Sequence, residues 1–213
     1  MKITKYGHCC LLIEVKNARI LTDPGSFTTT QNDVTGIDIV LITHEHGDHL
    51  HVDSLKKVMQ NNPQAKVITN TAVGTILDKE EIPHIVLDGR ATLQQGEISL
   101  AAYDAKHEEI YENFGQVQNT GYFIDSKLFY PGDAFCRPGV EVDILALPVA
   151  GPWCKIPDAL RYALAVKPRI AFPVHDGVLK EEVAKGMHGI PSKILGDQGI
   201  EFVSMTPGDT HEF

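Results

Sequence analysis

The sequence predicts an α+β fold: two mixed sheets packed face to face, with helices on their outer faces. Two observations predict it. Short apolar runs bounded by Gly, Asn, Asp or Pro recur along all 213 residues, and several crowd the opening stretch. Later runs alternate with segments whose apolar residues recur at helical spacing. No Pro/Gly/Ser-rich linker or low-complexity tract interrupts the chain, so residues 1–213 read as a single domain.

The runs at 3–6, 10–15 and 19–22 are each broken by Gly or Asn and read as three short strands in an antiparallel meander. Residues 37–43 form a nearly continuous apolar run, the mark of a buried strand. In 52–60, Val52, Leu55, Val58 and Met59 share one helical face. Asp53 is the expected N-cap, and Asn61-Asn62-Pro63 stops the helix. A strand at 66–70 and a short helix at 71–77 follow. Further strands are expected at 84–87 and 98–103, then a hairpin of 121–125 and 127–130 turning at Asp125-Ser126. Buried strands at 143–147 and 169–174 flank a helix at 157–166, whose Leu160, Ala163 and Leu164 lie at core spacing. A last helix is expected near 178–187, and a last strand near 201–203. The strands 37–43 and 169–174 both run straight into a histidine-bearing loop, a faint internal echo.

Hydrophobic residues make up 43% and charged residues 22%, ordinary for a globular chain that buries about 70% of its unfolded surface. The net charge of −9, with no basic run, disfavours nucleic acid as a partner. Of the four cysteines, Cys9 and Cys10 are adjacent and would face opposite sides of a strand. No CxxC pair is present, so Cys9, Cys10, Cys136 and Cys154 are expected to be free thiols in a reducing cytoplasm, without a catalytic role. No signal-peptide pattern and no run of about 18 apolar residues is found, so a cytoplasmic protein without membrane contact is expected.

The chemistry concentrates in His44-Glu45-His46-Gly47-Asp48-His49, between a buried strand and a helix. In extended backbone, residues i and i+2 point the same way, so His44 and His46 can share one ion. A turn at Gly47 then swings Asp48 and His49 toward a second ion. Imidazole and carboxylate suit zinc or manganese. Buried without a metal, such histidines would leave ring nitrogens unpaired at about 1–3 kcal/mol each.

These residues resemble the metallo-β-lactamase superfamily, whose H-x-H-x-D-H signature HEHGDH meets in full. The resemblance extends to Asp23 in ILTDPG, His107 in AAYDAKH, Asp133 in LFYPGD and His175 in IAFPVHDG. It implies a four-layer αββα sandwich. His44, His46 and His107 would hold one metal, and Asp48, His49 and His175 the other. Asp133 would bridge them, with Asp23 orienting a ligand. GHCCLLIE, ILTDP and PDALRYALAVKPRIAFPVH resemble more narrowly the ascorbate-6-phosphate-lactonase-like branch. That likeness places His8 near the metal pocket, in contact with substrate or leaving group, and makes His8 and Asp48 the catalytic candidates. Ala134 and Asp176 depart from the common pattern at positions expected to border the pocket. The acidic loop 108–119, with Tyr111 and Phe114, is expected on its rim and opposes a strongly anionic substrate unless Arg137 or Lys155 compensates. His51 is read as a non-ligand, and His84, His188 and His211 as surface residues.

The resemblance thus implies a metal-dependent hydrolase. Two divalent ions, zinc first with manganese, iron or nickel acceptable, would activate water to cleave a small ester, lactone, amide or phosphodiester. The expected partner is a small-molecule substrate, and a homo-oligomer is compatible with the sequence. Two alternatives stand beside this reading: an iron-dependent oxidoreductase of the same superfamily, persulfide-dioxygenase-like, and a metal-binding module without catalysis.

Overall fold

Fourteen strands form two seven-stranded sheets in the computed structural model, which describes residues 1–213 apart from the side chain of Glu181. The first sheet is built from β1 (Lys2–Gly7), β2 (Cys10–Val15), β3 (Ala18–Thr22), β4 (Ile39–Leu41), β5 (Lys66–Thr69) and β6 (His84–Val86). Helix α1 (Val52–Asn61) links β4 to β5, and α2 (Thr71–Lys79) links β5 to β6. The second sheet holds β7 (Thr92–Gln95), β8 (Ile98–Lys106), β9 (Gln118–Ile124), β10 (Leu128–Tyr130), β11 (Ile144–Pro148), β12 (Ile170–Val174) and β13 (Glu201–Phe202). Its helices are α3 (Ile156–Val166), α4 (Glu181–Met187) and α5 (Gly189–Gly196). The chain then returns to the first sheet as β14 (Thr210–Glu212), beside β1.

Both sheets follow one pairing pattern. In the order β14-β1-β2-β3-β4-β5-β6, the first three pairings are antiparallel and the last three parallel. The order β7-β8-β9-β10-β11-β12-β13 repeats this succession. The echo in the sequence was therefore real but misaligned. It matched β4 with β12, whereas the topology matches β4 with β11 and β3 with β10. Parallel neighbours end on the same edge of a sheet, so either can deliver a histidine there.

Side-chain alternation explains the layers. In β4, Ile39 and Leu41 point between the sheets, while Val40 points out, into a cluster with Leu55 and Val58 of α1 and Val73 and Leu77 of α2. In β11, Ile144 and Ala146 face the inter-sheet core, and Leu145 and Leu147 pack under Ala159, Leu160 and Ala163 of α3. Strands covered on both faces need apolar residues at every position, which is why these read as continuous runs. Cys9 faces the inter-sheet core and Cys10 the outer layer, as their adjacency predicts.

Several local expectations are corrected. The N-cap of α1 is His51, in extended backbone, and Asp53 lies inside the first turn, where its charge still favours the helix dipole. Helix α4 starts at Glu181, later than expected. Strands β7 and β14 and helix α5 were not foreseen. Helix α5 carries Gly189, Pro191 and Gly196, residues that argue against a helix from propensity alone. Among the described residues, no helix is long and apolar enough to cross a membrane.

Candidate metal centre

The carboxyl ends of β3, β4, β8, β10 and β12 open on one crevice, and each sends a polar residue into it. Asp23 follows β3, the 44–49 loop follows β4, His107 follows β8, Asp133 follows β10 and His175 follows β12. His8 joins them from the turn between β1 and β2. Their donor atoms fall into groups lying within 4.8 Å of one another: His44, His46 and His107; His8, Asp48, His49 and His175; and Cys9, His49 and Asp133. His51 stays outside these groups, with Nδ1 2.9 Å from Ser54 Oγ.

Close backbone approaches shape the loops. Gly25 lies against the Asp48 carbonyl so tightly that a Cβ there would collide with it, and Ser26 N–H donates to Gly47 O at 2.9 Å. Gly132 has φ +63, and a Cβ there would strike the Asn119 side chain. Asn119 in turn fixes the next residue: its Oδ1 accepts from Asp133 N–H at 2.9 Å, and its Nδ2 donates to Pro131 O at 2.8 Å.

The protons on four of the imidazoles follow from their neighbours. His107 Nδ1 donates to Glu108 O at 2.6 Å and His175 Nδ1 to Ala150 O at 2.7 Å. His49 Nδ1 donates to Asp23 Oδ2 at 2.7 Å. The Thr43 hydroxyl donates to Asp23 Oδ2 at 2.8 Å, so its oxygen accepts from His44 Nδ1 at 3.0 Å. When neutral, a ring so held presents a bare Nε2 to the crevice, where only a proton or a metal ion can meet it. The Asp133 carboxylate lies among them. Its Oδ1 is 3.1 Å from His49 Nε2, and its Oδ2 is 2.8 Å from His175 Nε2 and 3.2 Å from His107 Nε2.

Lone pairs facing lone pairs at these distances require positive charge between them. His44 Nε2, His49 Nε2, His175 Nε2 and Asp133 Oδ1 are buried without a hydrogen-bond partner, so the donor set fits divalent cations. The electrostatics agree. Burial opposes charge on His49 and His175, yet the nearby Asp133 carboxylate raises both rings above the usual histidine range. Despite its own burial, Asp133 is held well below the carboxylate range by His175 and His49. Burial pushes His44 well down and also lowers His46, leaving both neutral and free to ligate. Asp23 anchors the arrangement: its Oδ1 accepts from Thr43 N–H at 2.8 Å, and its Oδ2 also accepts from Tyr130 OH at 2.6 Å.

His8 has the opposite tautomer. Gly177 N–H donates to His8 Nδ1 at 3.1 Å, so the ring proton sits on Nε2, 3.1 Å from Asp48 Oδ2. Burial pushes His8 down to about 4, so the ring is neutral at pH 7. Burial would raise Asp48, but the hydrogen bond from His8 and the charges of His49, His8 and His175 hold it below the carboxylate range.

Two residues have partners the sequence did not suggest. Asp176 lines a cavity beside His8, but its Oδ2 is engaged 2.6 Å from Lys5 Nζ and 3.3 Å from His188 Nε2. His188 is buried rather than at the surface, with Nδ1 2.8 Å from Ser204 Oγ. Lys5 is fully buried and also donates to Pro173 O at 2.9 Å and Met205 O at 3.2 Å. The alternation of β1, which puts Lys5 on the face of Ile3, was the signal that could have found it.

Trp153 was also missed. Its indole N–H donates to Asp133 Oδ2 at 3.0 Å, and its ring wedges between those of His107 and His175. Nothing in the sequence around Trp153 marks it. Arg137 lines a cavity of about 430 Å³ with Glu108, Phe135, Trp153 and Arg161, while Lys155 is exposed at the N-terminus of α3. Tyr111 and Phe114 are exposed on the 108–119 loop, which passes His46 at Gly115. Ala134 is buried.

Comparison with known proteins places this geometry in a family. A family model described as a β-lactamase superfamily domain matches residues 2–175. A Mycobacterium tuberculosis protein is 35% identical over 193 residues, covering 88% of this chain and 89% of its own length. A protein of Archaeoglobus fulgidus named UPF0173 metal-dependent hydrolase is 25% identical over 238 residues, covering 100% of this chain and 99% of its own. Among solved structures, Igni18, described as a metallo hydrolase from Ignicoccus hospitalis, shares the fold with a TM-score of 0.75 at 21% identity, covering 100% of this chain and 98% of its own. With the matched domain running from β1 to the last of the crevice histidines, the chain belongs to the metallo-β-lactamase superfamily.

Proposed function

We propose that the protein, a metal-dependent hydrolase of this superfamily, cleaves a small ester, lactone, amide or phosphodiester at a centre of two divalent ions. The observation that carries this reading is the set of bare Nε2 atoms facing Asp133. His44, His46 and His107 would hold one ion, and Asp48, His49 and His175 the other, with Asp133 between them. Zinc suits this donor set first, and manganese, iron and nickel also fit it. When bound, the ions supply Lewis acidity and lower the pKa of water toward about 7.

The chain's own residues do the rest. Asp48 is partly exposed and carries negative charge, so its carboxylate accepts a hydrogen bond from the attacking water and orients it. His8 holds that carboxylate through Nε2–H, and the same N–H would give its proton to the departing group and regain one from the water consumed. Trp153 and the buried Ala134 limit water around Asp133. A small-molecule substrate is supported by the net charge of −9, which repels polyanions. The resemblance of the 7–24 and 157–175 segments to the ascorbate-6-phosphate-lactonase-like branch makes lactones the first substrates to try.

Metal analysis after purification without chelators tests the reading, followed by a panel of esters, lactones, amides and phosphodiesters. Two ions per chain and turnover abolished by chelation are expected. Fewer than one ion per chain would refute it.

A further inference from the structure

The family pattern accounts for two of the three donor groups in the crevice, and the third contains a thiol. Cys9 follows His8 in the β1–β2 turn and is 1% exposed. Its side chain faces the inter-sheet core, beneath the crevice, and its backbone is fixed there by Thr22 Oγ1, which donates to Cys9 O at 2.8 Å. The Cys9 sulfur, a ring nitrogen of His49 and a carboxylate oxygen of Asp133 lie within 4.8 Å of one another. His49 Nδ1 is committed to Asp23, so Nε2 is the nitrogen free to share an ion with the sulfur. A second observation is independent of the cysteine: His49 Nε2 and Asp133 Oδ1 are both buried and both lack a hydrogen-bond partner.

We propose that Cys9 is an additional ligand, approaching from the core side, for the ion held by His49 and Asp133. This rests on the two-ion reading above and deepens it. On loading, the S–H bond breaks, a sulfur–metal bond forms and the proton is released to solvent. A thiolate in the donor set favours zinc or iron over manganese and magnesium at this position, since hard oxygen-seeking ions gain little from sulfur. The other position, with His44, His46 and His107, has only nitrogen donors besides Asp133 and keeps a broader tolerance.

Cobalt(II) titration of the metal-free protein tests this, because sulfur–cobalt bonding gives a near-ultraviolet charge-transfer absorption that histidine and carboxylate ligands do not. The band is expected to grow as the Cys9 position fills, to be lost in Cys9→Ser, and to persist in Cys10→Ser, whose thiol faces the opposite layer. Two bound cobalt ions without the band, or a band that survives in Cys9→Ser, would overturn the thiolate ligand and leave the two-ion reading standing. A chain that binds no cobalt would overturn both. The wild-type spectrum decides the matter even if Cys9→Ser folds poorly.

Discussion

Replacing Lys5 by Met tests the buried ion pair that Lys5 makes with Asp176, the residue after the crevice histidine His175. Methionine keeps most of the apolar stem and removes the ammonium group, which donates to Asp176 Oδ2, Pro173 O and Met205 O. Lys5 is 0% and Asp176 4% exposed, so water cannot replace those bonds. Removing one partner of a buried pair costs about 3–5 kcal/mol. His188 Nε2 stays near Asp176 Oδ2 and shares its charge, so the expected loss is about 3 kcal/mol, the low end of that range. Against a stability of about 5–15 kcal/mol, this is a large fraction. Urea unfolding of the metal-free protein at pH 7, followed by circular dichroism, reads it as a lower midpoint with an unchanged slope. Lys5→Met combined with Asp176→Leu removes both charges and should recover part of the loss. A loss under about 1 kcal/mol for Lys5→Met, in the range of exposed pairs, would refute the assignment of a strong buried pair. The pair also predicts a pH dependence. Burial would raise Asp176, but His188 and Lys5 bring its folded pKa below the unfolded value. Its contribution is therefore present above about pH 3.9 and is lost as pH falls through the lower folded pKa.

Asp23→Asn leaves the bond to His49 Nδ1 without its charge and disturbs the chain that fixes His44; metal affinity measured by chelator competition should fall about 10–100-fold. His8→Ala should lower kcat about 10²–10⁴-fold while both ions stay bound, and loss of metal instead would make His8 a ligand. Stripping the ions should lower the melting temperature, since a ligand at 100 times its Kd stabilises by about 2.7 kcal/mol. Leu145→Ala, beneath α3, should cost about 2–5 kcal/mol in denaturant unfolding without changing metal content.

The parts legible in the sequence were those whose physics is local. HEHGDH announces itself because three histidines and an aspartate do not share six residues by accident of packing. The buried strands announce themselves because both their faces are covered. His107, Asp133 and His175 were visible only by resemblance, since the topology, not the spacing, brings them to one crevice. Lys5, Trp153 and His188 were illegible for a different reason. Each acts through partners far along the chain: Lys5 meets Asp176 across 171 positions and Trp153 meets Asp133 across 20. A charge in a short strand otherwise reads as solvated. The Asp176 correction has the same origin, because the direction of its carboxylate is set by Lys5, on another sheet.

The split of the crevice between the sheets has a mechanical consequence. His44, His46, Asp48 and His49 belong to the half of the chain that forms the first sheet; His107, Asp133 and His175 belong to the other. Every donor group draws on both halves, so an ion seated here would act as a rivet through both plates. It joins segments as distant as β4 and β12, a closure that removes much freedom from the unfolded chain. Capture of metal would thereby certify that the two plates have met in register.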